Sequence, residues 1–286
     1  MAGIYLNHEL ECDARRRLIF NGDLLLYTRN EATAALADYA IELAIQALAP
    51  LDPQHAQESL SVTEFIKQVG PLKTRFTNNQ RTKELVRDVL AAFGCDLDDT
   101  YFDVPRLRVV PHSDYLSSGV SYAYKAHRDI WYASPAAQVN WWLPVFLVTT
   151  ERAMSFFPEY WSKPVSNSSV DFDYSEWCRV GRQLATSQIG QDERKHPLPV
   201  EPIDTTSELR IAGTKGDVIL FSASHLHATA ANRSGRTRYS IDFRTINRSD
   251  LERGLGAPNI DSLASGSTLG DFMRARDFSP MQLTDS

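Results

Sequence analysis

The 286 residues are 43% apolar and 23% charged, the balance of a soluble globular protein long enough to bury a core as one large domain or two small ones. Thirty Lys and Arg against 36 Asp and Glu leave a net charge of −6, which argues against nucleic-acid binding, where a basic surface or stripe is the rule. No run approaches the roughly 18 uninterrupted apolar residues of a membrane span, and the N-terminus lacks the apolar stretch of a secretory signal. Cys12, Cys95 and Cys178 are too few and too scattered for a disulfide framework or a cysteine zinc site, and suit a reducing cytoplasm.

The first hundred residues read as helical. Residues 31–48 repeat apolar side chains at three- and four-residue spacing until Ala-Pro ends the run. Residues 82–93 do the same, with Gly94 where a C-terminal cap belongs. A shorter helix is predicted at 63–69. From Pro105 the texture changes to short stretches rich in β-branched and aromatic residues, at 106–110, 120–125, 138–148, 217–221 and 238–245, punctuated by Gly, Pro, Asn and Ser. Helices followed by many strands predict an α+β protein with a mainly β core, an antiparallel sandwich or barrel. The interval 158–208 is long for a plain loop and reads as a lid or binding insertion, with a helix at 174–185. The tail, 247–286, is polar, with one helix predicted at 269–276.

Two places concentrate chemistry. His127 and Asp129 are two apart, so at a strand end they share a face. A neutral imidazole and a carboxylate on one face supply two-thirds of a facial triad that suits non-haem Fe(II) and leaves positions open for cosubstrate and oxygen. The second place is GDVILFSASHLHATAANRSGRTRYS, residues 216–240. Here a buried-looking strand leads to His225 and His227, and a turn leads to Arg238 and Ser240. Those last two also share a face, and a guanidinium fork beside a hydroxyl is a good receptor for a carboxylate. A histidine on one strand and an arginine eleven residues later would face each other over a small cavity. Arg236 and Arg244 are rivals for the carboxylate, although Arg244 lies about 20 Å further along an extended strand.

His127-x-Asp129, the GDVILF run leading to His227, and Arg238-Tyr239-Ser240 together resemble the Fe(II)/2-oxoglutarate-dependent oxygenases, in the phytanoyl-CoA-hydroxylase-like branch, over residues 105–246. The resemblance implies a double-stranded β-helix, the jelly roll shared with cupins, with helices packed outside. It implies that His127, Asp129 and His227 bind Fe(II), that Arg238 holds the distal carboxylate of 2-oxoglutarate with help from Ser240, and that O2 is the second cosubstrate. His227 is preferred to His225 because the A-T-A-A-N-R-S that follows matches the family's small-residue turn. Asn140, on the strand after His127, is a candidate either for the 2-oxoglutarate carboxylates or for ordering the sheet edge. Trp131 and Phe157 are candidates for the substrate pocket.

A carboxylate at position 129 favours hydroxylation or another oxidation over halogenation, whose enzymes carry a small residue there. His127-Arg128-Asp129 also spells the kinase catalytic-loop tripeptide, but Ser134 stands where the kinase asparagine belongs and no D-F-G follows. The H-E-x-x-H of zinc hydrolases is absent. The expectation is one domain, in which 1–104 supports a jelly-roll core at 105–246 and the tail at 247–286 serves as a lid. Its expected activity is oxidation of a small molecule in specialised-metabolite biosynthesis, without nucleic-acid or membrane partners. A homodimer is one option for its assembly. The alternatives are a protein-modifying oxygenase and a cupin-like jelly-roll protein that binds without catalysis.

Overall fold

The computed structural model describes residues 3–181 and 194–282. Its elements in chain order are strand β1 (Ile4–Leu6), helix α1 (Cys12–Phe20), β2 (Leu24–Tyr27), α2 (Glu31–Leu48), α3 (Val62–Asn78), α4 (Gln80–Ala92), β3 (Thr100–Phe102) and β4 (Arg106–Val110). There follow β5 (Val139–Pro144), β6 (Met154–Phe156), β7 (Leu209–Ile211), β8 (Val218–Ser222), β9 (His227–Thr229), β10 (Arg238–Asn247) and β11 (Met273–Arg274). This is an α+β chain with a β core.

The larger sheet runs β1-β2-β8-β5-β10-β3-β11, and β4 also pairs with β10. Only β1 and β2 are parallel. The smaller sheet is β7-β6-β9. One face of the larger sheet buries Val139, Trp141 and Leu143 of β5 and Tyr239, Ile241 and Phe243 of β10 in a cluster shared with α2, α3 and α4. Period-two alternation then turns Asn140 and Trp142 of β5, and Arg238, Ser240, Asp242 and Arg244 of β10, to the opposite face. That face is the floor of the site.

The helices form where the sequence supplies both an apolar stripe and a stop. α2 starts at a capping box: the Asn30 side chain accepts from Thr33 N–H while Thr33 Oγ1 accepts from Asn30 N–H. α4 ends before Gly94, whose φ of +67° favours glycine as the predicted cap. α3 is longer than the predicted 63–69. It continues through Pro71, which sits on the exposed side of the helix and costs it one backbone hydrogen bond.

Three expectations need correction. Residues 120–125 form no strand: Gly119–Ser121 is a 3-10 turn, and Tyr122 and Tyr124 pack edge to face at 4.8 Å. The predicted helix at 269–276 is a 3-10 turn (Thr268–Asp271) followed by β11, which pairs with β3, and Phe272 is buried against Tyr101 and Ile246. Of the helix predicted at 174–185, Tyr174–Glu176 is a single turn and Trp177–Gly181 a π-turn; the rest lies outside the described residues. Nor are the cysteines all apart. Cys12 and Cys95 are free thiols with sulfurs 3.8 Å from each other. Among the described residues no helix is long and apolar enough to cross a membrane.

Candidate metal centre

His127, Asp129 and His227 are all buried and offer ligand atoms that lie within 4.8 Å of one another, the one such cluster of three among the described residues. The backbone makes this meeting. His127 and His227 exchange both main-chain hydrogen bonds, at 2.9 and 3.0 Å, in an isolated antiparallel bridge that sets their rings 4.4 Å apart. The Asp129 amide then bonds Ala223 O at 2.9 Å as the chain turns into the 3-10 segment Asp129–Tyr132. The same-face geometry predicted for His127 and Asp129 is thus built by a bridge and a turn rather than by a regular strand.

Each imidazole is oriented by its far nitrogen. His127 Nδ1 lies 2.8 Å from Lys125 O, and His227 Nδ1 lies 2.9 Å from His225 O. A carbonyl can only accept, so both Nδ1 atoms carry the proton and both Nε2 lone pairs face inward. Burial, with His127 alongside, pushes the His227 imidazole down to about 3, so it is neutral at ordinary pH.

Asp129 is held so that one oxygen is occupied and the other presented. Oδ2 accepts from Asn140 Nδ2 at 2.7 Å and from Gln138 Nε2 at 3.1 Å, with Arg244 Nε 3.6 Å away. Oδ1 faces His127 Nε2 at 3.5 Å and His227 Nε2 at 3.9 Å. Burial would raise the carboxyl, but Arg244 and then the two histidines hold it well below the usual carboxylate range. Two imidazole nitrogens and a fixed carboxylate oxygen are the donor set of a first-row divalent metal.

The same cavity reaches Arg238, and Trp142 and Phe221 line it with the triad. Arg238 is buried and has no carboxylate at ion-pair distance among the described residues. Its Nη1 donates to Arg152 O and Ala153 O at 3.2 and 3.4 Å, while Nε has no partner. Burial first, then Arg108, push its guanidinium down to about 10. The Ser240 hydroxyl and two guanidinium nitrogens of the neighbouring Arg152 are also buried without partners. A buried guanidinium with no carboxylate beside it and a buried hydroxyl two residues along the same strand are donors that suit a carboxylate.

Other candidates fall elsewhere. His225 is fully buried, with Nε2 2.7 Å from Gly22 O and its ring 4.8 Å from that of Trp161, and it takes no part in the cluster. Asn140 sits on β5 between β8 and β10 rather than at a sheet edge; it lines the cavity, and its Nδ2 donates to Asp129. Trp131 and Phe157 do not line the cavity. They share a separate buried cluster with Tyr160 and Leu226, and Trp131 Nε1 donates to Asp261 at 2.7 Å. Trp131 turns away because the chain coils at Asp129–Tyr132 rather than running straight. Arg244, a rival for the cosubstrate carboxylate by sequence, stands instead beside Asp129, with Nη1 3.0 Å from Asp103.

Sequence reasoning missed Gln138, which braces Asp129, and Arg128. The Arg128 side chain is wholly buried and bonds Asp261 at 2.9 Å, Tyr160 O at 2.6 Å, Lys163 O at 3.1 Å and Ser224 O. It fastens the His127-Asp129 turn to the segment that delivers His227. Period-two spacing of Gln138 with Asn140 was a readable signal; nothing local marks Arg128.

No protein-family model matches the chain, and no curated protein does. Among solved structures it is similar to EvdO2 from Micromonospora carbonacea var. aurantiaca complexed with 2-oxoglutarate, at 11% identity over 84% of this chain and 93% of that one, with a TM-score of 0.46. It is also similar to the epimerase SnoN in complex with Fe3+, alpha-ketoglutarate and nogalamycin RO, at 12% identity over 89% and 95%, with a TM-score of 0.45. A third likeness is to the non-heme monooxygenase ThoJ, at 12% identity over 77% and 71%, with a TM-score of 0.40.

Proposed function

We propose that this chain is a non-haem Fe(II)/2-oxoglutarate-dependent oxygenase that hydroxylates, or otherwise oxidises, a small molecule in specialised-metabolite biosynthesis. We read its two sheets as a jelly roll and the whole chain as one domain. The observation that carries this is the pairing, in one cavity, of a two-histidine, one-carboxylate cluster with a buried arginine that has no anion. A cupin-like binding protein has no need of the second feature.

When bound, the iron with 2-oxoglutarate supplies activation of O2 for oxidation of a substrate C–H bond, while 2-oxoglutarate becomes succinate and carbon dioxide. The protein's part is to bind, orient and exclude water. His127 and His227 offer Nε2, and Asp129 offers Oδ1. Asn140, Gln138 and Arg244 keep the carboxylate ionised and fixed, so its free oxygen is aimed before the metal arrives. Arg238, with Ser240, receives the distal carboxylate of 2-oxoglutarate, which replaces the missing counter-charge. Substrate enters through a cavity of about 450 Å³ that shares Asp129 and Arg244 with the cavity of the cluster and is walled by Tyr132, Phe172 and Trp177. The carboxylate at 129 occupies the position that a halide would need, which favours oxidation over halogenation.

Anaerobic addition of Fe(II) and 2-oxoglutarate is expected to give a weak visible charge-transfer band, and substrate with O2 is expected to release succinate. A protein that gives neither band nor succinate is not this enzyme.

A further inference from the structure

A second cavity, of about 310 Å³, lies between α3 and β4 and carries a charge pattern the cycle above does not use. Among the described residues its lining includes Lys73, Arg106, Arg108 and Arg194, and no aspartate or glutamate. Arg106 is paired with Asp103 at 2.5 Å, and Arg108 is bidentate to Asp242 at 2.5 and 3.0 Å. Lys73 differs: among the described residues it has no carboxylate, and its ammonium donates only to Val120 O. Burial first, then the neighbouring Arg108, push that ammonium down to about 7. The next residue of the same turn, Ser121, is 1% exposed, lines this cavity, and has a hydroxyl with no partner.

A half-buried ammonium and a buried hydroxyl that have, among the described residues, no counter-ion and no partner are each costly unless something arrives to satisfy them. Both needs are met by one oxyanion, which takes hydrogen bonds from Nζ and Oγ and offsets the crowding of Lys73 against Arg108. The volume suits part of a ligand, being at the small end of ligand pockets, which start at about 300 Å³. The cavity also opens toward the chemistry. Arg108, Tyr122 and Tyr124 line both it and the cavity of the metal cluster, and the Arg108 guanidinium lies 5.1 Å over the Tyr124 ring.

We propose that this cavity is an oxyanion subsite for the substrate: a carboxylate, phosphate or sulfate substituent seats against Lys73 and Ser121 while the rest of the molecule extends past Arg108 and Tyr124 toward His127, Asp129 and His227. That the ligand is the oxidised substrate rests on the oxygenase reading; the anion site itself stands on its own residues.

The test uses the full-length protein, first without metal. Inorganic phosphate is titrated by calorimetry against wild type, Lys73→Met, Lys73→Arg, Ser121→Ala and Arg238→Ala. Phosphate should bind wild type and Lys73→Arg in the millimolar range. It should bind Lys73→Met at least tenfold more weakly and Ser121→Ala severalfold more weakly. Arg238→Ala should retain the Lys73-dependent binding, which separates this site from the cosubstrate end. Wild type without phosphate binding, or Lys73→Met with wild-type affinity, overturns the subsite. Co(II) titration of Lys73→Met should match wild type, so a failed metal centre is seen separately. Compounds that then stimulate succinate release should carry an anionic group, and their KM should rise at least tenfold in Lys73→Met. A neutral compound turned over equally well by both proteins also overturns the proposal.

Discussion

The two ends of the central cavity treat charge in opposite ways. At one end Asp129 is held from three sides, by Asn140, Gln138 and Arg244, and keeps one oxygen clear. At the other end stands Arg238, with Arg152 and Ser240 buried near it, and among the described residues Arg238 Nε, Arg152 Nε and Nη1, and Ser240 Oγ have no partner. A folded protein tolerates such unsatisfied groups only where it has a use for them. The first end has its carboxylate fixed by the protein alone; the second leaves donors unused. On the proposed reading a metal meets a finished site, whereas an organic anion completes its own.

Substitutions can break this contrast, and the largest effect belongs to the ligands. His227→Ala should lower affinity for Fe(II) or Co(II) at least a thousandfold in an anaerobic titration. His225→Ala should leave the metal in place and instead cost about 2–3 kcal/mol in denaturant unfolding, through the lost bond to Gly22 O and the cavity created. Metal lost in His225→Ala but kept in His227→Ala would mean that His225 is the ligand.

Next is the open end. Arg238→Met should weaken 2-oxoglutarate binding by roughly a hundredfold while metal affinity holds, because a charge-assisted bidentate contact is worth about 3 kcal/mol. The same change should raise the melting temperature of the ligand-free protein, since it removes an uncompensated buried cation. A fall in melting temperature would show that the bonds of Arg238 to Arg152 O and Ala153 O outweigh the cost of its buried charge.

Asn140→Leu and Gln138→Leu attack the finished end indirectly. Each should weaken metal binding by about 10–100-fold with no change in 2-oxoglutarate affinity once the metal is saturating. The smallest effect is expected of Trp131→Phe, which should lose about 1–2 kcal/mol of stability with the bond to Asp261 and leave substrate KM unchanged. A shift in KM would return Trp131 to the pocket.

What the sequence made legible follows the range of the forces involved. Residues 31–48 and 106–110 were bounded correctly because an apolar period, a cap and a β-branched run are local signals. Alternation along β10 places Arg238 and Ser240 on one face from the sequence alone. The segment 120–125 misled because the tyrosines that resemble a strand pack on each other and line cavities instead. The grip of Arg128 on Asp261, 133 residues away, and of Asn140 on Asp129 across a strand and a turn, leaves no local pattern. The short β9, only three residues, has no room for one.

β10 carries one further consequence. Odd positions Tyr239, Ile241 and Phe243 are fully buried under the helices, while the even positions Arg238, Asp242 and Arg244 line the cavity. Inserting or deleting a single residue within it would exchange the two sets, emptying the interior of its aromatic rings and sealing the cavity with them. This strand can therefore diverge among descendants by replacement but not by length. New substrates would have to be acquired through the connecting segments around it, which can grow or shrink without moving a single ligand.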